Sequence, residues 1–301
     1  MQSKLKQVRD FLGRMILKFS LLIALLPSKV GIGFAYVIGK GAYLFLKGKR
    51  QITLRNLELA FGKEKSNAEL RKIACQVSQE ICRYWIEILQ FLHFPSRFKI
   101  EIKGQKNLDM ALSQGKGVIL VSAHFGNFPL MIAVLTQKGY KIKTIMRHMH
   151  DLKSDKLFCQ LRQKLNIRSI MLQSRQVSVS KCLNALRKNE VLLIQIDQHA
   201  GAGGIFVDFF GKPAATTSSP VIFALRTGAP ILPVFILREA EVHNIIIEPN
   251  VGLYLGSNKE EIVKKTMSKL TKIVECYVKK HPEQWAWLHK RWKGEERVKG
   301  I

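Results

Sequence analysis

VILVSAHFGN, the stretch from Val118 to Asn127, decides how the rest of the chain is read. Its apolar run, residues 118–123, has no polar alternation and is too short for an ordinary helix, which fits a strand buried on both faces of a sheet. His124 then stands at the carboxyl end of that strand, where open α/β sheets gather their ligands. Gly126 and Asn127 follow, and Pro129 suits the first turn of a helix, where its missing N–H has no partner to lose. A histidine with a helix N-terminus behind it can take a proton from a hydroxyl while backbone N–H groups face developing negative charge. A histidine at a strand end is also a common structural residue, and on these residues alone both readings stay open.

Outward from this stretch, short apolar runs alternate with helical segments. Residues 141–146, 191–196, 231–237 and 244–248 read as further strands, and residues near 129–138, 153–165, 178–188, 220–226 and 259–280 as helices. Upstream, Ser66, Asn67, Ala68 and Glu69 form a capping box. Ile73, Val77, Ile81, Trp85, Ile88 and Leu92 follow at helical spacing, so an amphipathic helix runs from there to just before Pro95. Strands apolar on both faces and separated by helices predict an α/β fold with a mainly parallel central sheet flanked by helices.

The chain has 301 residues, 47% of them apolar, enough to bury one large domain. Lys and Arg number 49 against 22 Asp and Glu, a formal charge of +27, which calls for an anionic counterpart such as a membrane surface, an acidic protein or nucleic acid. No nucleic-acid-binding motif accompanies the charge. Cys75, Cys82, Cys159, Cys182 and Cys276 are odd in number and lack metal-ligand spacing, which argues against a disulfide framework and for a reducing compartment.

Residues 11–26, FLGRMILKFSLLIALL, are apolar but broken by Arg14 and Lys18, and the uninterrupted run from Phe19 to Leu26 is far short of the ~20 residues of a spanning helix. Residues 30–46 add four glycines, aromatic side chains and a basic sequel in Lys47, Lys49 and Arg50. Together they read as a membrane-associating segment, residues 1–46, ahead of a catalytic domain over 47–301. A cleaved leader is the rival reading for residues 1–27, and Pro27-Ser28-Lys29 lacks a small-x-small cleavage site.

A second chemical signature is IDQHAGAGGIFVDFFGKPAATT, residues 196–217. Asp197 and Gln198 follow a buried strand, and the glycines of residues 201–204 allow a ligand close to the backbone. Phe206, Phe209 and Phe210 fit either core or the wall of an apolar groove. His148, His150 and His199 lack a carboxylate at fixed spacing, so no metal is expected. Trp285, Trp287 and Trp292, interleaved with His289, Lys290 and Arg291, suit a lipid interface as well as a base-stacking strip.

SAHFGN, the stretch DQ with GGIFVDFFGKPAATT, ALRTGAPILPVF, RQITLRNLELAF at residues 50–61 and HPEQWAWLHKRWK at residues 281–293 together resemble the bacterial lipid A biosynthesis acyltransferases. These are the late lauroyl and myristoyl transferases of the lysophospholipid acyltransferase superfamily. The resemblance implies a glycerol-3-phosphate acyltransferase-like α/β domain at the cytoplasmic face of a Gram-negative inner membrane. It would use no cofactor and move a fatty acyl chain from acyl carrier protein to a hydroxyl of a lipid A precursor or related glycolipid. It further implies His124 as general base, substrate contacts at Gly126, Asn127, Gln198, Phe206, Phe209 and Phe210, and phosphate or acceptor contacts at Arg147 and Arg162.

One departure matters. The family motif is His, four residues, then Asp or Glu, and the acid's position here holds Pro129. Three explanations compete. A carboxylate from elsewhere orients His124, with Asp197 best placed and Asp208 and Asp151 behind it; or His124 acts alone; or the chain has lost catalysis and retains lipid binding.

Overall fold

The computed structural model describes residues 19–147 and 152–293. Residues 19–25 are helical and lead into α1 (Ser28–Phe45), α2 (Lys47–Phe61) and the long α3 (Asn67–His93). The expected capping box opens α3, with Ser66 and Glu69 each satisfying the other's backbone N–H. The glycine-rich stretch is therefore helix. Its small residues let α1 lie close on α3, since a Cβ on Gly39 would meet the backbone of Gln79.

The α/β body then runs β1 (Lys99–Lys103), α4 (Gln105–Leu112), β2 (Val118–Ser122), α5 (Phe128–Gln137), β3 (Ile142–Met146), α6 (Leu152–Lys164), β4 (Arg168–Met171), α7 (Arg175–Arg187) and β5 (Val191–Gln195). A two-stranded hairpin, β6 (Ile205–Phe209) and β7 (Lys212–Thr216), precedes α8 (Ser219–Thr227), β8 (Ile231–Glu239), β9 (Val242–Ile247) and α9 (Lys259–Lys280).

Seven strands form one sheet in the order β1-β9-β8-β2-β5-β3-β4. Every pairing is parallel except β8 with β9, so the expected mainly parallel sheet is present. Successive residues of β2 point to opposite sides: Ile119 and Val121 join α7, α8 and α9 on one face, while Val118 and Leu120 join α4 and α5 on the other. Both faces being covered is why these strands carry no polar alternation.

The described N-terminal residues leave much apolar surface exposed. Val37 is 72% exposed, Phe45 83% and Leu46 56%, with Phe19, Leu22 and Leu25 also open. Among the described residues no single helix is long and apolar enough to cross a membrane, and α1 and α2 meet at 90°. The candidate ligands His148 and His150, with Asp151 and residues 1–18 of the expected anchor, lie outside the described residues.

Candidate active site

The register of two neighbouring strands builds the site. β2 and β5 pair in parallel with Ser122 opposite Gln195, so the residues two beyond each, His124 and Asp197, leave the sheet side by side at its carboxyl end. The carboxylate that the motif lacks on α5 thus stands beside His124 on the adjacent strand. Asp197 Oδ1 lies 2.9 Å from His124 Nδ1, and Oδ2 accepts the backbone N–H of His124 at 2.8 Å. Trp285 Nε1 donates to the same Oδ2 at 2.7 Å.

This arrangement sets the charge states. Burial would raise the Asp197 pKa, but the charge and hydrogen bonds of His124, with the Trp285 indole, bring it to about 2. Burial also opposes charge on His124, and the ionised Asp197 more than offsets that, holding the imidazole pKa above its ordinary 6.5. With Nδ1 bonded to the carboxylate, Nε2 is the nitrogen left to meet a substrate proton.

The segment after α9 closes the site. Gly126 N–H donates to Gln284 O at 2.8 Å and Ala286 N–H to His124 O at 2.9 Å, with Phe125 and Trp285 bridged as antiparallel partners. Gly126 has φ of +57°, and a Cβ there would collide with the carbonyl of Ile236, so only glycine permits this docking. The Gln198 amide nitrogen sits 3.1 Å from His124 Nε2 and 3.0 Å from His289 Nε2. Burial, with the nearby His124, lowers the pKa of His289, which favours the neutral ring that accepts from the Gln198 amide. Arg291 is buried and pins the Gln198 backbone, donating to its carbonyl at 3.1 Å and to Ala215 O at 2.7 Å.

His124, Gly126, Asn127, Phe128 and Pro129 form one wall of a cavity of about 800 Å³ between α1, α3, α5, α6 and the closing segment. Apolar side chains dominate the rest, among them Ile38, Trp85, Ile132, Phe158, Leu161 and Leu288. That volume lies in the upper range of small-molecule sites, and the lining suits a hydrocarbon chain laid beside His124 and His289.

The remaining expected residues are distributed unevenly. Arg162 lines the cavity from α6, whereas Arg147 is exposed at the end of β3 and is not part of its wall. Asn127 caps α5 through Leu130 N–H and donates to buried Glu87 at 3.0 Å, which makes it a brace as well as a lining residue. Phe206, Phe209 and Phe210 do not line the cavity. Phe206 points to solvent at 65% exposure, and Phe209 and Phe210 pack in an aromatic cluster with Trp285, Trp287 and Trp292. The physical reason is the hairpin: strand alternation turns Phe206 outward and Phe209 inward, and the turn, with Phe210 at φ +59°, brings that next ring back onto the closing segment. His199 has its ring nitrogens bonded to Lys293 O and Gly201 N–H.

Trp285 and His289 stand at the site, a placement that residue-by-residue reading misses. The signal lay in their spacing inside HPEQWAWLHKRWK, which is legible as a closing strip but gives no hint that it folds back onto a strand end over 160 residues earlier in the chain.

Comparison with known proteins places the chain. A lipid A biosynthesis palmitoleoyltransferase of Escherichia coli K12 is 27% identical over 263 residues, covering 85% of this chain and 82% of the relative. The lauroyltransferase of the same organism is 25% identical over 280 residues, 90% and 88% of the two chains. A phosphatidylinositol mannoside acyltransferase of Mycobacterium tuberculosis is 24% identical over 226 residues, 73% and 70%. The family model for bacterial lipid A biosynthesis acyltransferases matches residues 2–294, and with a histidine at the strand end facing an apolar cavity, the chain belongs to that family.

Proposed function

We propose that the chain transfers a fatty acyl group from acyl carrier protein to a hydroxyl of a lipid A precursor or related glycolipid, with His124 as general base and Asp197 as the acid that orients it. The observation that carries this reading is the 2.9 Å contact between His124 Nδ1 and Asp197 Oδ1 on the wall of an apolar cavity of about 800 Å³.

In the proposed reaction Nε2 of His124 takes the acceptor's hydroxyl proton as the oxygen attacks the thioester carbonyl. Asp197, ionised and held by three donors, stabilises the imidazolium that forms without taking the proton itself. The Gln198 amide, which donates toward His124 Nε2, yields that nitrogen to the hydroxyl and offers its N–H to the oxyanion. Collapse of the tetrahedral intermediate breaks the carbon–sulfur bond, and the leaving thiolate receives the proton from His124. An ester and the free thiol of the carrier result.

The exposed apolar residues of α1, followed by Lys47, Lys49 and Arg50, support docking on the cytoplasmic face of an inner membrane. The excess of 49 basic over 22 acidic residues supports an acidic carrier as donor. Activity with that donor should therefore fall steeply as salt screens the encounter over ~10 Å, and a flat salt profile would point to another donor. The mannoside acyltransferase among the relatives favours a second reading in which the acceptor is a different lipid.

Replacing His124 by Ala tests the core of the proposal. Acyl transfer from carrier protein to a lipid A precursor should drop by roughly 10²- to 10⁴-fold, with the circular dichroism spectrum unchanged. Near-normal turnover would remove His124 as base, and an inactive parent chain would favour a lipid-binding homologue.

A further inference from the structure

Two residues apart on the closing segment, His289 and Arg291 hold Gln198 at both of its ends. Arg291 Nη1 donates to the backbone carbonyl of Gln198 at 3.1 Å, and His289 Nε2 lies 3.0 Å from the nitrogen of its side-chain amide. His289 is fixed in turn by its own carbonyl, which accepts from Asn56 Nδ2 at 2.7 Å and from the Arg291 N–H at 2.8 Å. Its ring lines the cavity with its centroid 5.6 Å from that of His124, and no step of the proposed reaction uses it.

The polarity of these contacts follows from Asp197. Its ionised carboxylate faces His124 Nδ1 at 2.9 Å, so the proton of the neutral imidazole sits on Nδ1 and Nε2 is an acceptor. The Gln198 atom 3.1 Å from Nε2 is then the amide nitrogen, because a carbonyl oxygen there would set lone pair against lone pair. The same NH₂ group reaches His289, which makes His289 Nε2 an acceptor too and puts its proton on Nδ1. The lowered pKa of His289 favours that neutral ring. When His124 becomes an imidazolium, its Nε2 turns from acceptor to donor and no longer takes the amide N–H. Gln198 then either turns its carbonyl to the imidazolium or keeps its NH₂ in place, with one N–H released toward the oxyanion. Only the second arrangement serves the reaction, and a neutral His289 selects it, since its lone pair attracts the NH₂ and repels the carbonyl.

We propose that His289 is a positioning residue, which holds the N–H side of the Gln198 amide toward the reaction centre while His124 carries the proton. The inference rests on the acyl-transfer reading above, in which Gln198 donates to the oxyanion.

Two readouts keep the inference distinct from that reading. Nuclear magnetic resonance of the full chain with isotope-labelled histidine rings, in detergent micelles at alkaline pH, reports tautomers without any turnover. His124 and His289 should both carry their proton on Nδ1, each resonance being assigned by its absence in His124→Ala or His289→Leu. A proton on Nε2 of His289 would overturn the positioning whatever the activity. A parent with the expected tautomers and no acyl transfer would overturn the reaction and leave only the orientation of the amide standing. Kinetics is the second readout. Gln198→Leu removes an oxyanion donor and should lower kcat about 10²- to 10³-fold, and near-normal turnover would remove the donor on which the inference stands. His289→Leu should lower kcat about fivefold to tenfold, the worth of one hydrogen bond, with KM and the thermal midpoint little changed. His289→Gln, whose amide oxygen again accepts, should return kcat to within about twofold of the parent. Added to Gln198→Leu, His289→Leu should cost nothing further, because the group it orients is gone. An undiminished His289→Leu, a loss carried by KM, no rescue by His289→Gln, or losses that multiply in the double variant would each overturn the positioning role.

Discussion

The indole of Trp285 and the carboxylate of Asp197 are joined by a 2.7 Å hydrogen bond that fixes which oxygen of the acid faces the His124 ring. Oδ2 accepts from that indole and from the backbone N–H of His124, so it has to be an acceptor, and Oδ1 is left to meet His124 Nδ1.

This polarity makes Asp197→Asn more than a loss of charge. The two donors hold the amide oxygen in the Oδ2 place, so the amide NH₂ faces Nδ1 and forces the imidazole proton onto Nε2, where the base is needed. Turnover should fall about 10²- to 10⁴-fold with little change in thermal stability. Pro129→Glu should not raise the activity of the parent, since the orienting position is already filled. Turnover of the two variants beside the parent checks both statements, and a mild Asp197→Asn effect with a gain from Pro129→Glu would mean that His124 works alone.

The pH dependence has a definite sign. A general base acts when neutral, and the ionised Asp197 holds the His124 pKa above 6.5, so kcat/KM should fall as pH drops through a midpoint above 6.5. In Asp197→Asn the raising influence is gone and burial remains, so the acidic limb should move to lower pH. A pH–rate profile of each form with a non-titrating substrate checks this.

Chain-length preference should follow cavity length. Cys82 lines the cavity from α3 and is only partly buried, so Cys82→Phe projects its ring into the space where an acyl chain would lie. Turnover with long-chain donors should fall several-fold more than with short ones in a competition among acyl carrier proteins of graded chain length. An equal loss across the series would place the chain elsewhere.

Membrane docking should depend on side chains that contribute nothing to the core. Val37, Phe45 and Leu46 are 72%, 83% and 56% exposed, so replacing all three by Ser should leave the thermal midpoint within about a degree or two, given the ±0.5 kcal/mol usual at such surface sites. Flotation with anionic vesicles should be strongly reduced. Unchanged flotation would locate the anchor outside these residues.

What the sequence discloses follows where each element sits in the sheet. The runs beginning at Val118 and Val191 are readable because central parallel strands are buried on both faces. β1 and β4 are hidden because they form the two edges of the sheet. KIEIK and RSIM expose charged residues there and resemble loop. The β6–β7 hairpin is hidden for another reason. Its turn places Phe210 at φ +59° ahead of Gly211 at φ +70°, and a phenylalanine stands where Asn or Asp would announce such a turn. Asp197 is legible as a strand-end acid, but the shared register that brings it to His124 is a property of the pairing. The closing segment contributes through contacts spanning nearly 90 residues or more, from Trp285 to Asp197 and from His289 to Gln198, which no local pattern encodes.

Those same long spans impose an order of assembly during synthesis. β2 and β5 can pair as soon as both have left the ribosome, but the indole that polarises Asp197 and the arginine that pins Gln198 are made 88 and 93 residues after the groups they hold. A nascent chain whose sheet has formed therefore still has an open, wet cavity and an Asp197 carboxylate short of its third donor. Competence arrives as a late clasp, and ribosome-stalled chains that stop short of Trp285 should be trapped with the lid of their own reaction chamber still unmade.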